Sequence, residues 1–592
     1  MTRARNLLSL LPLLLAAGAG AADLRVSVLP QFNGRPLVFD AATNVTAAGQ
    51  KISVTRLDLL LSGFALRRAD GTWLEQKEAF AYIGGRDGKN TFTLENVPPA
   101  DYDHIRFHIG LEPGVNHGDA ARWPAGHPLN PDVNGLYWGW SREYVFLALE
   151  GGWQDGAKRS GFSYHVATDG ELMTVELPVA LNLNFSRELP VTLAVDRLFA
   201  GPNAVRLTPA TATSHSRTND LLAAQLKQNV ETAFATRVGQ ASGPAPTLVK
   251  QETGGTSVPL VAPHATPYRF TFAEYFPRPD LPRDNPLTAE GVSLGSKLFF
   301  DRRLSADNSQ SCASCHHPTE AFSEPRRFSR GITGAIGTRN AMPLENLAWK
   351  SSFFWDGRAA TVREQVLQPI QNPIEMHAKL PDVVAKVAAD PDYPRSFNAA
   401  FGSPAVDADR IARALEQFLV VQVSTDAKFD RVMAGRDRFT PEEQHGYELF
   451  NTEYDPYHGQ YGADCFHCHG GPLFQSQAFA NNGLDTAFRD LGRYKVTHRD
   501  GDQGKFAVPS LRNVAVTAPY MHDGRVRTLE DAVEHYCTGM KRSQTLDPNL
   551  AKHPDNGIPL GAADKKALVA FLKTLTDGKF LVSAPAPAVA AR

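Results

Sequence analysis

Four of the five cysteines in this 592-residue chain fall in two C-x-x-C-H motifs, Cys312-Ala313-Ser314-Cys315-His316 and Cys465-Phe466-His467-Cys468-His469. Two thiols at that spacing can add to the two vinyl groups of one haem, and the histidine that follows is then held beneath the iron. One such motif is also compatible with half a zinc site or a redox dithiol. Two copies, each preceded by a helical G-x-x-L-F segment (Gly295 to Phe299 and Gly446 to Phe450), point to two haem c groups. Cys312, Cys315, Cys465 and Cys468 would attach them, with His316 and His469 as axial ligands. The fifth cysteine, Cys537, reads as a small buried apolar residue.

Composition narrows the setting. Sixty-one Lys and Arg against 63 Asp and Glu give a net charge of −2, so no excess charge exists to grip nucleic acid or anionic lipid. Arg3 and Arg5 precede an apolar run from Leu7 to Ala17, and Ala19 to Ala22 form a small-residue cleavage region. Residues 1–22 therefore read as a signal peptide and the protein as periplasmic. The run is shorter than the ~20 residues a membrane span needs, and no later segment reaches that length uncharged, so no span is expected.

The elements that must position the motifs differ along the chain. Residues 23–238 show short alternating apolar runs broken by Gly, Pro, Asn and Asp, which predicts an antiparallel β-sandwich closed by a helix over Asn219 to Val238. Residues 239–263 read as a flexible linker. Helical periodicity follows: Thr440, Pro441 and Glu443 form a helix start, and Leu568, Phe571, Leu572 and Leu575 stripe a last helix. The fold class is thus multidomain, the sandwich followed by two all-α class I cytochrome c-like domains, residues 264–430 and 431–583. Residues 584–592 form an Ala/Pro-rich disordered tail.

Arg339-Asn340, Phe354-Trp355-Asp356-Gly357-Arg358, Asn372-Pro373-Ile374-Glu375-Met376, Val508 to Asn513 and Thr517 to Gly524 closely resemble the bacterial di-haem cytochrome c peroxidase superfamily, over roughly Pro267 to Lys579. The resemblance implies that Glu375 sits over the peroxide-binding haem and that Trp355 lies between the haems. It also implies an inter-haem calcium on Asn340 and the backbone oxygens of Thr517 and Pro519. A carboxylate above iron can shuttle the proton needed for O–O cleavage, and calcium suits oxygen ligands.

Two positions depart from the plain peroxidase. Where the family places a removable distal histidine, this chain has Ile332, so the His316 haem is expected to be five-coordinate and open to peroxide; His317 is a rival ligand poorly placed to reach the opposite face. Where the family places a methionine on the second haem, this chain has Tyr536, which resembles the MauG-like branch with its shared bis-ferryl state. His535 and Met540 remain alternative ligands.

In the N-terminal region, Asn116-His117-Gly118-Asp119, Leu129-Asn130-Pro131, Gly135 to Trp140 and Phe162-Ser163-Tyr164-His165 resemble the copper-binding MbnP-like proteins, over roughly Leu24 to Val238. Such proteins are commonly paired with a MauG-like enzyme that converts a tryptophan to kynurenine. The resemblance implies Trp138 or Trp140 as the oxidised residue, both on one face of a strand, and copper on His165, then His117, then His108, imidazole being a good copper ligand. Both halves together imply a peroxide-dependent oxidoreductase, with hydrogen peroxide as oxidant and its own N-terminal domain as substrate, that matures a copper site. The rivals are a peroxide-detoxifying cytochrome c peroxidase fed by a soluble cytochrome or copper protein, and a non-enzymatic copper and electron-transfer protein.

Overall fold

The N-terminal half is organised by one long strand, Lys51–Arg68, which pairs antiparallel with Glu143–Asp155 through its first part and with Asp101–Ile109 through its second. Its centre, Leu57 to Leu61, is almost wholly buried rather than alternating, because strands flank it on both edges and both its faces are covered. The computed structural model describes residues 21–139, 141–156, 158–216, 219–236 and 260–583. Lys158–Ala167 extends this sheet beyond Glu143–Asp155, setting His165 opposite Ala148. A second sheet packs against it, built on Ala22–Phe32, whose buried residues alternate (Leu24, Val26, Val28) as expected of a half-buried strand.

Two sequence expectations change here. The sandwich is not purely antiparallel: Ala22–Phe32 runs parallel to Glu188–Ala194. Alternation reveals a buried face but not the direction of a neighbour, and these strands meet only after the chain has built most of the other sheet. The helix expected over Asn219 to Val238 covers only Leu221–Glu231, capped by Asp220. The chain then enters a strand, Phe234–Thr236, on the edge of Glu188–Ala194, where the alternating Phe234 and Thr236 suit a pleat better than a helix. The expected signal peptide falls outside the described residues up to position 20, and Ala22 already pairs with Val97 in the sheet. Of the expected linker, residues 239–259 fall outside; Ala262 bonds to the Ala400 carbonyl of the helical part. The 584–592 tail also lies outside.

The C-terminal half is helical, with two apolar cores. Helix Ala289–Phe299 lies against Ala408–Val420, and helix Pro441–Asn451 against Ala562–Lys573. Both crossings rest on a glycine: a Cβ on Gly295 would stand 1.9 Å from the Ala414 carbonyl oxygen, and one on Gly446 would stand 2.0 Å from that of Ala567. The glycine of each G-x-x-L-F segment thus lets two helices touch backbone to backbone, and the Leu and Phe after it fill the core under each haem motif. Thr440 caps its helix reciprocally with Glu443 as the sequence predicts. Ala562–Lys573 is not the last helix, however. Gly578–Ser583 follows and returns to the first core, where Phe580 packs on Phe322 with centroids 6.0 Å apart.

Arg512 locks the parts together. It is fully buried, binds Asp430 through two bonds of 2.8 and 3.0 Å, donates to the carbonyls of Pro472 and Ser424, and lies over the Phe276 ring. Among the described residues no helix is long and apolar enough to cross a membrane.

Candidate functional site

The first motif forms a short helical turn, Cys312–Ser314, that brings His316 round so that its Nδ1 bonds to the Phe322 carbonyl at 2.7 Å. That bond fixes the ring and leaves Nε2 to face a metal, the usual outer-shell arrangement of a ligating histidine. Helix Val362–Gln371 ends at Asn372, whose amide donates to Glu375 Oε1 at 2.6 Å. Burial raises the Glu375 carboxyl above its ordinary value, opposed by the Asn372 bond and the Arg358 charge. Glu375 lies close enough to Cys315 for its charge to help raise that thiol. The Ile332 amide donates to the Glu375 carbonyl at 3.0 Å, so the position that lacks a histidine adjoins the loop carrying the carboxylate. His317 turns its Nε2 back to the Ser314 carbonyl at 3.2 Å.

The second motif opens on a largely apolar cavity of about 230 Å³, bordered by Cys465, Cys468, His469 and Tyr536. His469 Nδ1 faces the Phe474 carbonyl at 3.2 Å, and burial brings its pKa down to about 4, keeping the imidazole neutral as a ligand requires. The donor set and apolar walls fit a haem c attached through the two cysteines. Tyr536 stands in a single π-helical turn, His535–Gly539, an irregularity common at functional sites. His535 instead meets the Asn482 carbonyl at 2.9 Å, and neither His535 nor Met540 borders the cavity. Asn340, Trp355, Thr517 and Pro519 border it too. The Trp355 indole donates to the Asn340 carbonyl at 2.9 Å, and the Asn340 amide nitrogen is engaged by the carbonyls of Arg326 and Arg327.

The sandwich docks on the helical half, touching the segment that leads into the first unit and several parts of the second. Asn130 donates to the Arg278 carbonyl at 3.0 Å, Arg86 pairs with Asp502, and Asn549 donates to Glu150 at 3.2 Å. A Cβ on Gly139 would stand 3.2 Å from the Gly471 Cα, so the two backbones nearly touch beside the second haem motif. Trp138 packs against both the sandwich core and the second helical core. Its strand is only Tyr137–Trp138, after which the chain turns, with the Arg142 amide donating to the Trp138 carbonyl at 2.8 Å. The expectation that Trp138 and Trp140 share a strand face involves Trp140, which lies outside the described residues.

Beside Trp138, three histidines converge. The Trp138 ring lies 5.9 Å from His215 and 6.3 Å from His165, centroid to centroid. His215 Nε2 is 3.1 Å from His165 Nδ1 and 2.7 Å from His467 Nε2. The other nitrogen of each ring faces a carboxylate: His165 Nε2 meets Glu150 at 2.9 Å, His215 Nδ1 meets Glu453 at 2.7 Å, and His467 Nδ1 meets Asp464 at 2.6 Å. Asp464 adopts a left-handed conformation (φ 62°) at the start of the Cys465–His467 turn, which aims its side chain back over His467. Burial lowers His165 to about 3 and lowers His215 as well, so these rings are neutral. Burial alone would raise Glu150, but Arg56 and the His165 bond hold it below the usual range.

His165 was expected here; His215 and His467 were not. The signal for His467 is a second histidine inside a C-x-x-C-H motif, and for His215 a histidine two residues beyond the short strand pairing of Ser163 with Thr213. His117 and His108 are elsewhere: His117 is half exposed and pairs with Asp169, and His108 bonds to Thr174. Neither belongs to a converging group of ligand atoms among the described residues. They were separated from His165 because a strand brings neighbouring residues together only on its own face, and the partners of His165 come from far along the chain.

The description "Di-haem cytochrome c peroxidase" matches residues 289–438 and "MbnP" matches residues 21–217. The methylamine utilization protein MauG of Methylophilus methylotrophus is 34% identical over 321 residues, 53% of this chain and 91% of that protein. The cytochrome c peroxidase Ccp of Escherichia coli is 36% identical over 43% of this chain and 54% of its own length. A solved structure described as a MauG-like protein associated with microbial copper homeostasis is 34% identical, covering 53% of this chain and 97% of that one, with a TM-score of 0.48.

Proposed function

Given that this chain belongs to the di-haem cytochrome c peroxidase family of MauG-type oxidoreductases and carries an MbnP domain, we propose that it is a periplasmic enzyme that uses hydrogen peroxide to oxidise its own Trp138 and so completes a copper site. The observation that carries this reading is the position of Trp138, which packs against His165 and His215 and shares a core with Cys465 and Phe466 of the second haem motif. Haem c at the two motifs would supply the redox chemistry by which peroxide is reduced to water.

Glu375 would take a proton from peroxide and return it to the departing oxygen, held for this by Asn372. His469 and Tyr536, which line the same cavity, would hold the second haem, and Trp355, anchored by the Asn340 carbonyl, would serve as a relay toward it. Asn340, Thr517 and Pro519 would offer oxygen atoms to a calcium ion there. Conversion of the Trp138 indole to N-formylkynurenine adds two oxygen atoms and removes four electrons, consuming two peroxides and releasing two waters. Hydrolysis then releases formate, leaving a ketone and an aromatic amine beside His165 and His215, where either could join a copper ion.

Because Trp138 is docked already, modification should be first order and independent of protein concentration. Peptide mass spectrometry over Leu129 to Arg142 after peroxide tests the reading: oxygen added at Trp138 is expected. An unchanged Trp138, with fast turnover on a soluble cytochrome, would favour a peroxide-detoxifying cytochrome c peroxidase instead.

A further inference from the structure

The three converging imidazoles pose a problem of charge. One nitrogen of each ring is turned to Glu150, Glu453 or Asp464, so the nitrogens that face one another direct their ligating positions at a common centre. Facing nitrogens at 2.7 and 3.1 Å repel unless a cation or a proton sits among them. Burial of the His165 and His215 side chains, 5% and 7% exposed, and of His467, 2% exposed, keeps water from screening that repulsion. Three carboxylates surround the rings, held by Arg56, which Glu150 shares with Asp58, and by Lys552 on Glu453 and Asp464, with His553 also on Asp464. Each histidine therefore has the carboxylate partner that metal-binding histidines commonly have.

We propose that His165, His215 and His467 form one copper site shared between the two halves of the chain, in which the cytochrome part contributes the third ligand from inside its own haem-attachment motif. This deepens the reading above, which needs copper only on the sandwich. His467 stands between Cys465 and Cys468, so an ion on its Nε2 is joined to the second haem by a few bonds of a single peptide segment. Imidazole-only ligation suits copper, and a third imidazole gives the ion a site before Trp138 is altered, which the oxidised side chain would then tighten.

The test uses the full-length di-haem protein with Trp138→Phe, which cannot be oxidised at that position, titrated with copper(II) and, separately, with copper(I) against a competing chelator. One equivalent should bind, with nitrogen hyperfine structure from three imidazoles in the copper(II) spectrum. Adding His467→Ala should weaken binding by more than the roughly 10–100-fold that loss of an outer-shell partner costs, and Asp464→Asn should weaken it within that range. Haem content measured on each variant guards against failed attachment, and His215→Ala provides the same test without touching the haem motif. Unchanged affinity in His467→Ala that retains both haems would overturn the proposal. So would copper binding that appears only after peroxide treatment of protein retaining Trp138, a result that would leave the self-oxidation reading standing. Three-nitrogen binding in protein whose Trp138 never gains oxygen would support the shared site while overturning self-oxidation.

Discussion

Replacing Glu375 by Gln isolates proton transfer from everything else at the first haem. The amide keeps an oxygen to accept the 2.6 Å bond from Asn372 and keeps the side-chain volume, so neither the loop nor its tie to Ile332 should move. It removes the carboxylate that burial already places above its ordinary pKa. A positioned acid–base group contributes about 10²–10⁴-fold, or roughly 2.7–5.4 kcal/mol of barrier at 1.36 kcal/mol per decade. The stopped-flow change in the haem spectrum on mixing with peroxide should slow by that factor. The wild-type rate should also fall as pH drops through the raised carboxyl pKa, since only the deprotonated form accepts a proton, and that limb should vanish in Glu375→Gln. A variant within about threefold of wild type, or one retaining the acid limb, would refute the role.

Other substitutions probe the remaining parts. Tyr536→Met should raise the potential of the second haem, because a thioether favours ferrous iron and a phenolate does not; spectroelectrochemistry showing no change would mean that Tyr536 is not a ligand. Ile332→His should convert a high-spin electron paramagnetic resonance signal at the first haem to low-spin, whereas a wild-type protein already wholly low-spin would contradict an open site. Trp138→Phe should abolish peroxide-dependent mass gain over Leu129 to Arg142. Arg512→Ala strands the buried Asp430 carboxylate and should cost about 3–5 kcal/mol of stability, read from denaturant unfolding.

The haem attachments were legible because covalent chemistry confines them to five consecutive residues, and the helical units because capping and apolar spacing act locally. Glu375, Trp355 and Tyr536 were singled out by the order of motifs rather than by any physics of their own segments. The histidine cluster was only one-third visible. His165, His215 and His467 come from two strand regions and a haem motif, and nothing in their local sequence encodes the docking that unites them. The parallel pairing of Ala22–Phe32 with Glu188–Ala194 was hidden for the same reason, since direction depends on where the intervening chain leads.

Helix Gly578–Ser583 gives the molecule an order of assembly. Phe580 rests on Phe322, and the carbonyl of Phe322 is what holds the His316 ring. Domains ordinarily fold in the order in which they emerge from synthesis. Here the seat of the first haem rests on a helix that follows the whole second unit in sequence, so the first cytochrome unit is finished only after the second has been delivered. A stop codon ahead of Gly578, or a bulky carboxyl-terminal tag set hard against it, would leave the second haem motif intact and be felt at His316.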